Sequence, residues 1–158
     1  MLEQVKKATF IIALNEKGRV MMTRDMDLIR RIFLEIQSRE HVPLTPVELD
    51  SGVSPWILNR HLEMLIHQGL VEGIVHQSSM DGSIDLVIVE DMTWDGHDFL
   101  SAIKNDTVWK ALKEKFSSTQ LVELPLIIIK TAALALLQDW AKRKIGLANL
   151  ENVNGLAI

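Results

Sequence analysis

Hydrophobic positions between residues 26 and 66 recur with helical spacing in two blocks. In the first, Leu28, Ile29, Ile32, Phe33 and Ile36 share one face, while Arg30, Arg31, Glu35 and Arg39 fall on the other. Asp25 and Asp27 stand at its start, where the helix dipole favours negative charge. This predicts a helix from Asp25 or Met26 to about Ser38. The second block is Ile57, Leu58, Leu62, Leu65 and Ile66. It follows Ser54-Pro55, a cap with proline at the first helical position, and stops at Gly69. Between the blocks, Thr45-Pro46-Val47-Glu48 repeats the cap-plus-proline device and predicts a short helix ended by Gly52. Two short helices joined by a tight turn make a helix-turn-helix, with Leu49 and Val53 fixing the turn to the core.

The period then changes. Residues 70–75 and 84–89 read as strands around a polar turn that contains Asp81-Gly82, so a β-ribbon is expected. Thr93 caps the next helix, and Gly96 three residues later lets that helix approach the strands closely. Phe99, Leu100, Ile103, Val108, Trp109 and Leu112 continue an apolar face, with a break near residues 105–107. A final helix is expected from Ser118 or Thr119 to Lys144, or from Glu123 because of Pro125. The expected fold is mostly α with a small β-ribbon: a winged helix-turn-helix plus C-terminal helices. Residues 1–22 form an N-terminal extension, either a hairpin around Gly18 or a disordered leader. Residues 23–92 form the winged-helix domain, residues 93–146 the C-terminal helices, and residues 147–158 a flexible tail.

Three runs carry a resemblance. They are Met22-Thr23-Arg24-Asp25-Met26-Asp27-Leu28-Ile29-Arg30-Arg31-Ile32, then His61-Leu62-Glu63-Met64-Leu65-Ile66-His67-Gln68-Gly69-Leu70-Val71-Glu72, then Thr93-Trp94-Asp95-Gly96-His97-Asp98-Phe99-Leu100. Together they resemble a bacterial winged-helix domain family of unknown function, common in prophages and mobile elements. The resemblance spans about residues 22–116 and is most specific in its opening motif. It implies the fold and a phage-like setting, and it brings no catalytic or ligand-binding residues with it.

Composition narrows the chemistry. At 158 residues and 47% hydrophobic, the chain can build a sizeable core. It has no cysteine, which excludes a disulfide scaffold, cysteine-ligated zinc, iron–sulfur clusters and a thiol nucleophile. The greasiest stretch, residues 124–137, is interrupted by Lys130 and is short of the ~20 residues a membrane helix needs. No secretory signal pattern opens the chain. A soluble cytoplasmic protein without membrane contact is expected. The net charge is −4, but residues 24–92 hold five arginines, no lysine and twelve acids, a local net of −7. DNA-binding domains usually show the reverse.

Two surfaces stand out. The solvent face of the third predicted helix carries Trp56, Asn59 and Arg60; asparagine suits adenine and arginine suits guanine in a major groove. Arg30 and Arg31 would add phosphate contacts, unless acids at helical spacing neutralise such arginines, as Asp27–Arg31 and Glu35–Arg39 would. These residues make double-stranded DNA the leading partner and transcription regulation the leading function. The −7 charge supports the alternative, an adaptor that presents an acidic winged-helix surface to a host or phage protein. The second surface is the last helix, apolar on more than one face. Leu126, Ile127, Ile129, Leu134, Leu136, Leu137 and Trp140 are the expected seam of a homodimer. His61 and His67 are six apart, a poor spacing for ligands on one helix, and no His-Glu-x-x-His string, catalytic triad or phosphate loop occurs. No metal, cofactor or enzymatic activity is expected.

Overall fold

The computed structural model describes residues 13–14, 20–21, 23–39, 45–49 and 52–146. Among these the protein is mostly helical, with two small antiparallel sheets, one of two strands and one of three. The chain divides into two compact units, residues 1–96 and 97–158.

In the first unit, β1 (Ala13–Leu14) pairs with β2 (Val20–Met21) in antiparallel register. Helix α1 runs from Met26 to Ser38. The Asp25 carboxylate caps it by accepting from the Asp27 and Leu28 amides at 2.9 and 3.1 Å. Leu28, Ile29, Ile32 and Phe33 are fully buried, the apolar face that the spacing predicts. Helix α2 runs from Pro55 to His67, and Gly69 follows with φ +68°, a left-handed conformation that ends the helix at little steric cost. Leu58, Leu62 and Leu65 hold its inner face.

Among the described residues, one predicted helix is absent. Thr45–Pro46 is strand β3, and residues 47–49 and 52–54 are irregular; Asp50 and Ser51 lie outside the described residues. Thr45 pairs with Val89, and Pro46 with Ile88. A proline cannot donate to a ladder, so it fits the edge of a sheet as well as it fits a first helical turn. The local cap signal was ambiguous, and strand pairing took the position.

Strands β4 (Val71–Gln77) and β5 (Ile84–Met92) form the ribbon, and β5 lies between β3 and β4. Its turn is set by Gly82 at φ +70° and by Asp81, whose carboxylate accepts from the Ser83 amide and hydroxyl at 2.9 and 2.7 Å. Helix α3 (Trp94–Lys104) starts in this unit. Thr93 accepts from the Gly96 amide at 3.0 Å and donates to the Gly69 carbonyl at 2.7 Å, tying the helix start to the end of α2. A Cβ on Gly96 would run into the Leu70 carbonyl, so the absent side chain is what permits this close approach.

In the second unit, Asn105 interrupts the chain after α3 and caps α4 (Asp106–Lys115) by accepting from the Val108 amide at 3.1 Å. The single last helix expected from the sequence is two: α5 (Ser118–Glu123) and α6 (Leu126–Lys144). Pro125 divides them, because proline disfavours helical geometry in the residue before it; Leu124 is extended, with ψ 141°. Ser117 and Gln120 form a reciprocal capping box at the start of α5. Helices α4 and α6 pack together, with Val108, Trp109, Leu112, Ile129 and Ala133 buried. Residues 147–158 lie outside the described residues.

Candidate functional site

The residues expected to read DNA fall within little more than one turn of α2. Trp56 is 41% exposed, Asn59 is half-buried and Arg60 is exposed. The Arg60 guanidinium is engaged: its Nη1 donates to Glu63 Oε2 at 2.7 Å, one turn further along the same helix. On α1, Arg31 is exposed and Arg30 half-buried. The Glu35–Arg39 pair expected from spacing forms at 3.5 Å.

His61, on the inner side of α2, is fully buried. Its Nε2 accepts from the Asp25 backbone amide at 3.0 Å, and its Nδ1 lies 2.8 Å from the Ile57 carbonyl, which can only accept. The ring is therefore the neutral tautomer with its hydrogen on Nδ1, and it clasps the cap of α1 to α2. Burial is the main force lowering its pKa from the ordinary 6.5; Arg24 adds to the lowering, and the Ile57 carbonyl and Asp25 oppose it. As a metal ligand it is unsuitable, since both ring nitrogens are occupied. Among the described residues, no group of three or more His, Asp or Glu side chains is arranged to hold a metal ion.

The ribbon has a second surface that the sequence reading overlooked. Its register assigns the faces. Val71, Val75, Val87, Val89 and Met92 point inward, and all but the partly covered Val75 are buried. The other face carries Ile74 opposite Ile88, His76 opposite Leu86, and Glu72 opposite Asp91, with Pro46 beside Ile88. Ile74 is 43% and Leu86 38% exposed, so this outer face is an apolar strip open to solvent. Two irregularities in the register leave Glu90 and Asp85 as the extra residues of bulges on β5. The signal was present in Ile84-Asp85-Leu86-Val87-Ile88-Val89, where five of six residues are apolar. A strand with only one covered face alternates more cleanly.

A family profile described as "Hypothetical protein (DUF2513)" matches residues 23–122. The chain belongs to the DUF2513 family. It is also 36% identical over 114 residues to an uncharacterized protein of Haemophilus influenzae, covering 71% of this chain and 92% of that protein. No solved structure matches it. The DUF2513 match takes in α1, α2, the ribbon, α3 and α4, so the clasp, the α2 face and the outer ribbon face all lie inside the family region.

The expected dimer seam divides. Leu126 and Ile129 are buried in the second unit and belong to its core, a correction to their place in an outward seam. Leu134, Leu136, Leu137 and Trp140 are half-buried, and Ile127 is 59% exposed. Ile128, beside it, is also exposed and was not among the expected residues. Among the described residues, no helix is long and apolar enough to cross a membrane.

Proposed function

We propose that this DUF2513 chain is a winged-helix adaptor that docks on proteins and does not bind DNA. The order α1, β3, α2, β4, β5, with β5 central in the sheet, supports the winged-helix reading. The variant is an unusual one, with residues 47–49 and 52–54 irregular where a helix-turn-helix has its first helix. One observation carries the choice of partner. From His61 to Ile103, which includes most of α2 and the whole ribbon, the chain has no lysine or arginine, while Glu63, Glu72, Asp81, Asp85, Glu90, Asp91, Asp95 and Asp98 supply eight acids. Phosphate neutralisation supplies most of non-specific affinity for DNA, and this surface has nothing to supply it with. The one arginine on α2 is already bonded to Glu63.

The exposure of Trp56 and Arg60 on one side of α2 favours the second reading, a DNA-binding regulator with α2 in a major groove. Fluorescence anisotropy with a labelled pool of random duplexes at low ionic strength separates the two. The adaptor reading expects no binding at micromolar protein. Binding that weakens steeply with added salt and is reduced by Arg60→Ala would replace it with the DNA reading. Pairing of two copies through Ile127 and Ile128 on α6 is a companion proposal. Light scattering should report a dimer that Ile127→Glu converts to a monomer.

A further inference from the structure

We infer that the outer face of the ribbon is the docking surface, and that its occupant is a cationic amphipathic segment of a partner protein. This rests on the adaptor reading and adds the place and chemistry of the contact. Three observations meet on that face. Ile74 and Leu86 are open to solvent, with Ile88 and Pro46 completing the strip, on a sheet whose opposite face is already filled by valines. An antiparallel sheet with one solvated face ordinarily carries polar residues there. Next, Glu72 and Asp91 sit directly opposite each other on the same face, a like-charge pair that weakens a ribbon unless something positive joins it. Among the described residues neither forms an ion pair; the one recorded contact is Asp91 Oδ1 accepting from the Met92 amide at 2.7 Å. Finally, both bulges of β5 place an acid in the extra position, Glu90 beside that pair and Asp85 towards the turn.

The apolar strip thus lies between acids at both ends of β5. A helix or strand with an apolar stripe would cover Ile74, Leu86 and Ile88, and lysines or arginines flanking the stripe would meet Glu72, Glu90 and Asp91. The charge pattern selects against a second copy of this unit, because two such faces would bring the same acids together.

The test uses the full-length chain and a synthetic amphipathic peptide of leucine and lysine, with its leucine–glutamate counterpart as control, in calorimetric titrations. The lysine peptide should bind and the glutamate peptide should not. The double variant Ile74→Thr/Leu86→Thr, which leaves every charge in place, should weaken binding roughly tenfold. Glu72→Gln/Asp91→Asn should weaken binding relative to the parent chain by a factor that grows as salt is lowered. Trp56→Ala should leave it unchanged. Equal binding by the threonine variant, or loss through Trp56→Ala alone, would overturn the assignment of the surface. A mass that falls in light scattering on Leu86→Thr would overturn the partner class, by making a second copy the occupant. If neither peptide nor duplex binds, this inference fails while the adaptor reading stands. If the duplex binds with a steep salt dependence, the adaptor reading itself fails.

Discussion

The two faces of one β-ribbon behave as different materials. Val87 and Val89 on the inner face are 1% and 3% exposed, whereas Leu86 on the outer face is 38% exposed, although Leu86 and Val87 are neighbours in sequence. Their hydrophobicity is similar, and what separates them is only the alternation of a strand. The inner valines are accounted for by the helices that pack on the ribbon. The outer residues have no such account within their unit, and they share their face with carboxylates. An apolar side chain that is buried explains a fold, while one left in water on a rigid sheet calls for a partner.

The strongest way to break this comparison is to make the same substitution on each face. Val87→Asp should destabilise the chain by more than about 4 kcal/mol, because it buries an unpaired carboxylate. Leu86→Asp should cost about 1 kcal/mol or less, with urea unfolding as the readout in both cases. Equal losses would mean that both faces are packed. Next comes Gly96→Ala, whose added Cβ meets the Leu70 carbonyl and comes within 2.6 Å of the Met92 side chain; a loss of about 1–3 kcal/mol is expected. A neutral result would show that α3 leaves the ribbon with slack.

A third substitution sharpens the link between α1 and α2. Replacing His61 by Leu leaves the Asp25 amide without its acceptor and should cost about 1–3 kcal/mol. The pH dependence has a definite sign. The folded pKa of His61 lies below the ordinary 6.5, so below that pH the unfolded state binds the proton more readily. This contribution to stability is full above pH 6.5 and is lost as pH falls toward the folded value. His61→Gln keeps an acceptor and a donor but does not titrate. The gap between parent and variant should therefore shrink between about pH 7.5 and about pH 5.5. A gap independent of pH would show that His61 stays neutral, or stays charged, in both states. The smallest expected effect on stability is that of Ile74→Thr, within about 0.5 kcal/mol. That indifference is what a surface kept for contact predicts.

Much of this fold was legible because local signals agreed with one another. Helix α1 was readable from its one-sided spacing and its Asp25 cap, α2 from Ser54-Pro55 and Gly69, and the start of α3 from Thr93 and Gly96. The sequence failed where one residue served two geometries. Thr45-Pro46 suits a helix start and an edge strand equally, and only its pairing with β5 decides between them. Pro125 bore only on where a single last helix would start, at Ser118, Thr119 or Glu123; that it divides two helices depends on the preceding turn closing with its own cap, which Ser117 and Gln120 supply. The candidate surface was harder. The α2 face is legible in sequence only through the position of that helix in a helix-turn-helix. The outer ribbon face emerges only when the register shows which apolar residues face inward and which outward. His61 was visible as a histidine on an amphipathic helix, but its acceptor role toward Asp25 spans 36 positions and has no local signature.

Amide chemical-shift mapping of the full-length chain during titration with the leucine–lysine peptide tests the central claim most directly. The largest shifts should fall on Glu72, Ile74 and His76 of β4 and on Leu86, Ile88 and Asp91 of β5, with little change on the solvent side of α2. Shifts centred on Trp56, Asn59 and Arg60, with a silent ribbon, would contradict it.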